Sequence, residues 1–362
     1  MATTLSNSRS APVPGAAAAA HDEHSNLPPT AALAFRIPRS PIFLRGPRIR
    51  ALLKKFLAHS THLPDCPGFM NHRRRLAPLP FALTLLLTSL APARAAQADS
   101  APIPGQRVFV AGHSFHIFVA APLAEFAKAA GIPDHRTAGT QMIGGSRTLQ
   151  HWNLPDDKNK AKAALRAGEV DVLTLSPHLL IPDEGIDNFT KLGLEKNPNL
   201  RVFVQGSWLP WDGTANIKNF TTEDHNTAPL DRIRAGQTEW DKKISAQIRA
   251  LNQTVGHDAV FAVPVGYAVL ALREHIAAGT APGLTKQTDL FSDPIGHATP
   301  PLQAIVCYCN YAAIYRRSPV GLPVPSFLKN FPQAAALTPL LQKLAWDAVT
   351  AHPLSGVVTA RK

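Results

Sequence analysis

Five short runs rich in β-branched and aromatic residues alternate with stretches of helical spacing, and this alternation limits the fold more than any other feature. The runs are residues 107–111 (R-V-F-V-A), 136–143, 170–175 (V-D-V-L-T-L), 201–205 and 259–263 (A-V-F-A-V). Helices are expected at 116–130, 157–167, 183–195, 231–251, 267–278, 301–316 and 334–351. In the first of these Ile117, Ala121, Leu123, Phe126 and Ala130 recur at helical spacing. Strands separated by helices form a mostly parallel sheet covered on both faces. Right-handed crossovers then give a doubly wound three-layer α/β/α sandwich on a five-stranded sheet. The connection between the fourth and fifth runs is long, and Ile233, Trp240, Ile244, Ile248 and Leu251 within it read as the core stripe of a helix.

The body of this fold is expected over residues 99–362, as one domain. The net charge of +12 would otherwise point to nucleic acid, but its location argues against that. Residues 1–98 hold 12 Lys and Arg against 3 Asp and Glu, and the rest of the chain holds 25 against 22. The basic character therefore sits in a leader, and no nucleic-acid partner is expected for the body. Residues 1–69, rich in Ala and Pro, read as a disordered leader or an upstream extension. Residues 70–98 read as a signal peptide. Arg73 to Arg75 precede an apolar stretch from Leu76 to Leu90, and A-R-A then offers a small-residue cleavage site. That stretch is shorter than the ~20 residues of a spanning helix and is broken by Pro78 and Pro80, so no stable membrane span is expected. A secreted or periplasmic location follows. Cys307 and Cys309, two apart on an expected helix, point to different faces and read as buried free thiols.

In a flavodoxin-like three-layer sandwich the ligand sits at the carboxyl ends of the strands. After the first run comes A-G-H-S-F-H, with Ser114 at the strand-to-helix turn, where helix N–H groups favour developing negative charge. After the second comes I-G-G-S, residues 143–146, in which Gly145 lets a backbone N–H approach a ligand. Far along the chain S-D-P-I-G-H places Asp293 and His297 in one turn. A serine, a glycine turn and an Asp/His pair are the parts of a nucleophile, an oxyanion hole and a base. The plain readings are an N-cap for Ser114, a tight turn for the glycines and a surface histidine for His297. Without a G-x-S-x-G elbow, an α/β-hydrolase is disfavoured. No metal-ligand spacing appears, and no metal or other cofactor is expected.

These motifs, in this order, resemble the blocks of SGNH (GDSL-type) hydrolases. V-F-V-A-G-H-S-F resembles the first block, I-G-G-S the second, S-D-P-I-G-H the block of the catalytic Asp and His, and residues 311–322 (Y-A-A-I-Y-R-R-S-P-V-G-L) the closing helix of a secreted bacterial subgroup. The resemblance spans residues 107–322. It implies an esterase with Ser114 as nucleophile, His297 as base, Asp293 as orienting carboxylate, and oxyanion donors at Ser114 and Gly145. Three departures stand out. His113 replaces the usual Asp, and four residues separate Asp293 from His297 where three are usual. The third block, usually G-x-N-D with an oxyanion-binding Asn, reads L-S-P-H at 175–178. Pro177 has no N–H, so a further donor must come from elsewhere, with His178 and Gln205 at hand.

The substrate implied is a small-molecule or carbohydrate ester, with an acyl or acetyl group on a sugar as the family analogy. Trp208, Trp211 and Asp212 follow the fourth run and are the expected substrate contacts with His178: indoles as platforms and a carboxylate accepting from hydroxyls. The alternative is a non-catalytic ligand-binding protein on the same scaffold, motivated by the absent Asn. A periplasmic solute-binding module is a third reading, but the chain shows no duplicated strand pattern.

Overall fold

A computed structural model describes residues 104–357. The expected leader and signal peptide, residues 1–69 and 70–98, lie outside the described residues. The elements run β1 Arg107–Gly112, α1 Ala120–Ala129, β2 Arg136–Met142, α2 Thr148–Trp152, α3 Lys160–Arg166, β3 Val172–Leu175, α4 Glu184–Lys196, β4 Arg201–Gln205, α5 Leu230–Val255, β5 Val260–Val263, α6 Val265–Ala277, α7 Pro300–Tyr315 and α8 Ala334–Ala351. The five strands form one parallel sheet in the order β2-β1-β3-β4-β5. This is the flavodoxin-like three-layer sandwich, with β1 in its interior.

β1, β3, β4 and β5 are buried on both faces, whereas the edge strand β2 is largely exposed, and alternation sorts the buried side chains into two cores. Val108, Val110, Phe203 and Val263 enter the core covered by α1, α6, α7 and α8. Phe109, Ala111, Val202, Val204 and Ala262 enter the core covered by α3, α4 and α5. The helix α5 contributes Ile233, Trp240, Ile244, Ile248 and Leu251, the stripe expected from spacing. Cys307 and Cys309 are buried free thiols within α7. Among the described residues no helix is long and apolar enough to cross a membrane.

Two boundaries differ from expectation in ways that touch the site. The first α-helix begins at Ala120 rather than 116, after a 3₁₀ turn at Ile117–Val119. Pro122 fits the first turn of a helix, where its missing N–H has no intrahelical partner to lose, and it sets this start. Ser114 therefore lies in the turn between β1 and the 3₁₀ segment, closed by His116 N–H and Ile117 N–H donating to His113 O. The I-G-G-S turn opens onto the short α2, ahead of α3.

Candidate active site

Ser114 leaves the carboxyl end of β1 with its Oγ 2.7 Å from His297 Nε2. The histidine comes from a loop that local chemistry closes on itself. Asp293, Pro294 and Gly296 stand where a turn wants a side-chain acceptor, a fixed φ and a residue tolerant of positive φ, and Gly296 has φ +96°. Asp293 Oδ1 accepts from Gly296 N–H and His297 N–H, each at 3.0 Å. Asp293 Oδ2 is left for the ring and accepts from His297 Nδ1. This turn is how the four-residue spacing brings carboxylate and imidazole together. Donation of Nδ1–H to Asp293 leaves the Nε2 lone pair facing Ser114 Oγ. Burial works against the Asp293 charge, but hydrogen bonds from the His297 backbone and ring and from Gly296 outweigh it and hold the carboxyl below its ordinary value.

The second turn reaches the same cleft. Ser146 Oγ donates to Ile143 O at 2.9 Å and accepts from His151 Nε2 at 2.9 Å, which fixes I-G-G-S against α2. Gly145 takes φ +57°, a conformation that glycine adopts without a Cβ clash. Gly144 and Gly145 line the cleft with Ser114 and His297. Neither Ser114 N–H nor Gly145 N–H donates to an acceptor among the described residues.

His178 also lines this cleft. Burial and the Arg147 charge hold its imidazole below the ordinary value. Gln205 does not serve as a donor here. It is fully buried, its Nε2 donates to Phe115 O at 3.0 Å and Ser207 Oγ at 2.8 Å, and its Oε1 accepts from His116 and Asn310.

The W-L-P-W-D segment departs from its expected role. Asp212 is 2% exposed and binds Arg273 through both carboxylate oxygens and His225 Nδ1 at 2.9 Å. Burial opposes its charge, and the bonds from His225 and Arg273 more than offset this, so its carboxyl stays below the ordinary value. It has no free face for a substrate hydroxyl, and the expected substrate contact is corrected. Trp211 lies outside the cleft lining, and its N–H donates to Ile295 O at 3.1 Å. Trp208 does line the cleft but is 4% exposed, stacked on Phe115 at 4.3 Å, and it donates Nε1–H to Gly296 O at 2.9 Å. The segment braces the histidine loop from behind. His225 adds a third point, with Nε2 3.3 Å from Asp293 O.

Sequence reasoning missed His113, Ser176, Ser207, His225 and Arg273. His113 accepts from Phe115 N–H at Nδ1, and its Nε2 faces Ser176 Oγ at 3.2 Å, which meets Ser207 Oγ at 3.3 Å. Burial pushes the His113 imidazole down to about 4. These three stand at or just past the ends of β1, β3 and β4, so the strand-end rule could have found them. His225 and Arg273 are distant in sequence from the site motifs and carried no local signal. Among the described residues no group of three or more His, Cys, Asp or Glu is arranged to hold a metal ion.

No protein-family model matches the chain, and no curated protein matches it in sequence. Solved structures similar to it are all distant. A DUF4886 family protein from Bacteroides uniformis is 14% identical, with 67% of this chain and 94% of that one covered and a TM-score of 0.44. A protein from Slackia heliotrinireducens, described as a candidate SGNH hydrolase, is 16% identical over 57% and 97%, with a TM-score of 0.35. The periplasmic domain of a lipopolysaccharide acetyltransferase from Salmonella ser. Paratyphi A is 14% identical over 45% and 68%, with a TM-score of 0.30.

Proposed function

We propose that this chain is an SGNH-type serine hydrolase that cleaves esters. The observation that carries this reading is the unbroken series of contacts from Ser114 Oγ to His297 Nε2 and from His297 Nδ1 to Asp293. Ser114 attacks the ester carbonyl while His297 takes its proton. The imidazolium then gives that proton to the leaving alcohol, and a water repeats the sequence on the acyl-enzyme. Asp293 keeps the ring in the required tautomer and faces the imidazolium as it forms. Backbone N–H groups of Ser114 and Gly145 receive the oxyanion, which their lack of other acceptors supports. Export to the periplasm or the medium belongs to the same proposal and rests on residues 70–98 alone.

A binding protein on this scaffold is the second reading, favoured by Pro177 in the segment where an oxyanion-binding Asn would otherwise stand. Fluorophosphonate labelling with ester turnover separates the two. Wild type labels at Ser114, and Ser114→Ala and His297→Ala each lose on the order of a thousandfold or more in kcat, with the double variant little worse. A wild type that neither labels nor turns over esters establishes the binding reading, and full labelling of Ser114→Ala refutes the assignment.

A further inference from the structure

The cleft in front of Ser114 has a volume of about 350 Å³. Beyond the reacting residues its walls include Met142, Pro177, Leu179, Pro210, Trp240 and Ile295. They come from the end of β2, the segment after β3, the loop after β4, helix α5 and the histidine loop. Among the described residues none lining it is Asp, Glu, Lys or Arg. Its remaining polar groups are few: His113 and Ser207 are already turned toward Ser176, which leaves the His178 imidazole and the Trp240 indole N–H, the latter buried without a partner among the described residues. The mouth is apolar as well. Met142 is 55% exposed at the cleft, and Leu180, next to the wall residue Leu179, is 62% exposed.

An acetyl group brings one methyl to this space and leaves most of it unfilled. A sugar brings a hydroxyl on nearly every ring carbon, more than these walls can partner, and most of those desolvated here lose their water without gaining a hydrogen bond. The carboxylate that might have received sugar hydroxyls, Asp212, is committed to Arg273 and His225. An aliphatic chain matches walls, mouth and volume together, because apolar contact is the main interaction those walls offer, with His178 and the Trp240 N–H as isolated polar points.

We propose that the cleft takes an ester with an uncharged apolar chain of several carbons beside the scissile bond, in preference to an acetylated sugar. The proposal rests on the hydrolase reading for the position of the scissile bond. The chain belongs to the acyl group or to the alcohol, since the wall chemistry is the same for both.

Two ester series test it on the purified protein: p-nitrophenyl esters from acetyl to octanoyl, and acetates of alcohols from methyl to octyl. Acetylated xylo-oligosaccharides are the competing substrate. In one series kcat/KM rises about fourfold per methylene over the first several carbons, equivalent to about 0.8 kcal/mol each. A rise in the first series assigns the cleft to the acyl chain, and a rise in the second to the alcohol. Met142→Glu lowers the octanoyl-to-acetyl ratio (or the octyl-to-methyl ratio) at least tenfold, whereas Met142→Leu keeps it. Flat series, a glycosyl acetate as best substrate, or an unchanged ratio in Met142→Glu each overturn the proposal. A parallel titration with alkyl methyl ketones, from acetone to 2-decanone, reads the cleft without turnover. Binding that tightens with chain length supports the apolar site even where no ester is cleaved and only the hydrolase reading has failed. Binding independent of chain length overturns the proposal.

Discussion

Beneath Ser114 the buried polar network is neutral, whereas behind His297 it is charged. His116 donates Nδ1–H to Gln205 Oε1 at 2.8 Å and accepts from Thr174 Oγ1 at 2.9 Å, while Asn310, Phe115 O and Ser207 Oγ complete the Gln205 bonds. Burial pushes the His116 imidazole down to about 4, so this network carries no charge near neutral pH. On the other side Asp212 is shared between Arg273 and His225, all three buried. The difference follows from what each network must hold. Ser114 follows directly from β1, whose parallel ladders to β2 and β3 already fix the backbone. A neutral network suffices there and avoids the cost of burying a charge. The histidine loop pairs with no strand of the sheet, and its one bridge joins Phe291 to Ala298. Charge-assisted bonds, roughly twice as strong as neutral ones, give a loop its position without a ladder.

The comparison breaks most visibly at Asp293. Asp293→Asn favours the wrong tautomer of His297 and lowers kcat by about 10²- to 10⁴-fold, measured at saturating ester. Near-normal activity would mean that the loop's position matters and its carboxylate does not. Next comes Arg273→Met, which leaves Asp212 and His225 buried with one partner fewer. A loss of about 3–5 kcal/mol in urea unfolding is expected, with a fall in kcat as the loop loosens. A loss below 1 kcal/mol would mean that the charged brace is dispensable and that Trp208 holds the loop alone. The smallest effect sharpens the neutral side. Burial holds His113, His116 and His151 near 4 in the folded state against 6.5 when exposed. A depressed histidine pKa means that protonation favours the unfolded chain. Its stability contribution is therefore full above about pH 6.5 and falls as the pH drops toward 4. At pH 5.5 the loss is on the order of 1 kcal/mol per histidine, read as the slope of unfolding free energy against pH. A flat profile between pH 6.5 and 4.5 would show these imidazoles to be hydrated.

The fold was legible because its signals are local. Each strand run needed only a few consecutive apolar residues, and 201–205 matches β4 residue for residue. Ser114, Asp293 and His297 were legible for the same reason, since each lies in a short motif whose turn chemistry stands in the sequence. Asp212 was misread because position at a strand end does not say which way a side chain turns. Asp212 turns to Arg273 on α6, 61 residues away, and nothing near either residue announces the other. Trp208 turns to Gly296 O, 88 residues away. The apolar spacing runs back to Ile117 and hides the start of α1, which Pro122 in the first turn marks. The apolar cleft was illegible because its walls come from five separated segments, each unremarkable alone.

The turn that closes on Asp293 has a mechanical consequence. Carboxylate, both backbone donors and imidazole lie within five consecutive residues, so their mutual geometry travels with the loop as one rigid piece. The Asp293–His297 bond is thus local to the loop, whereas the gap between Nε2 and Ser114 Oγ spans two separate parts of the chain. The seat of the loop on Trp208, Trp211 and His225 is therefore what fixes that one length, while the carboxylate–imidazole pair is fixed by the loop's own turn.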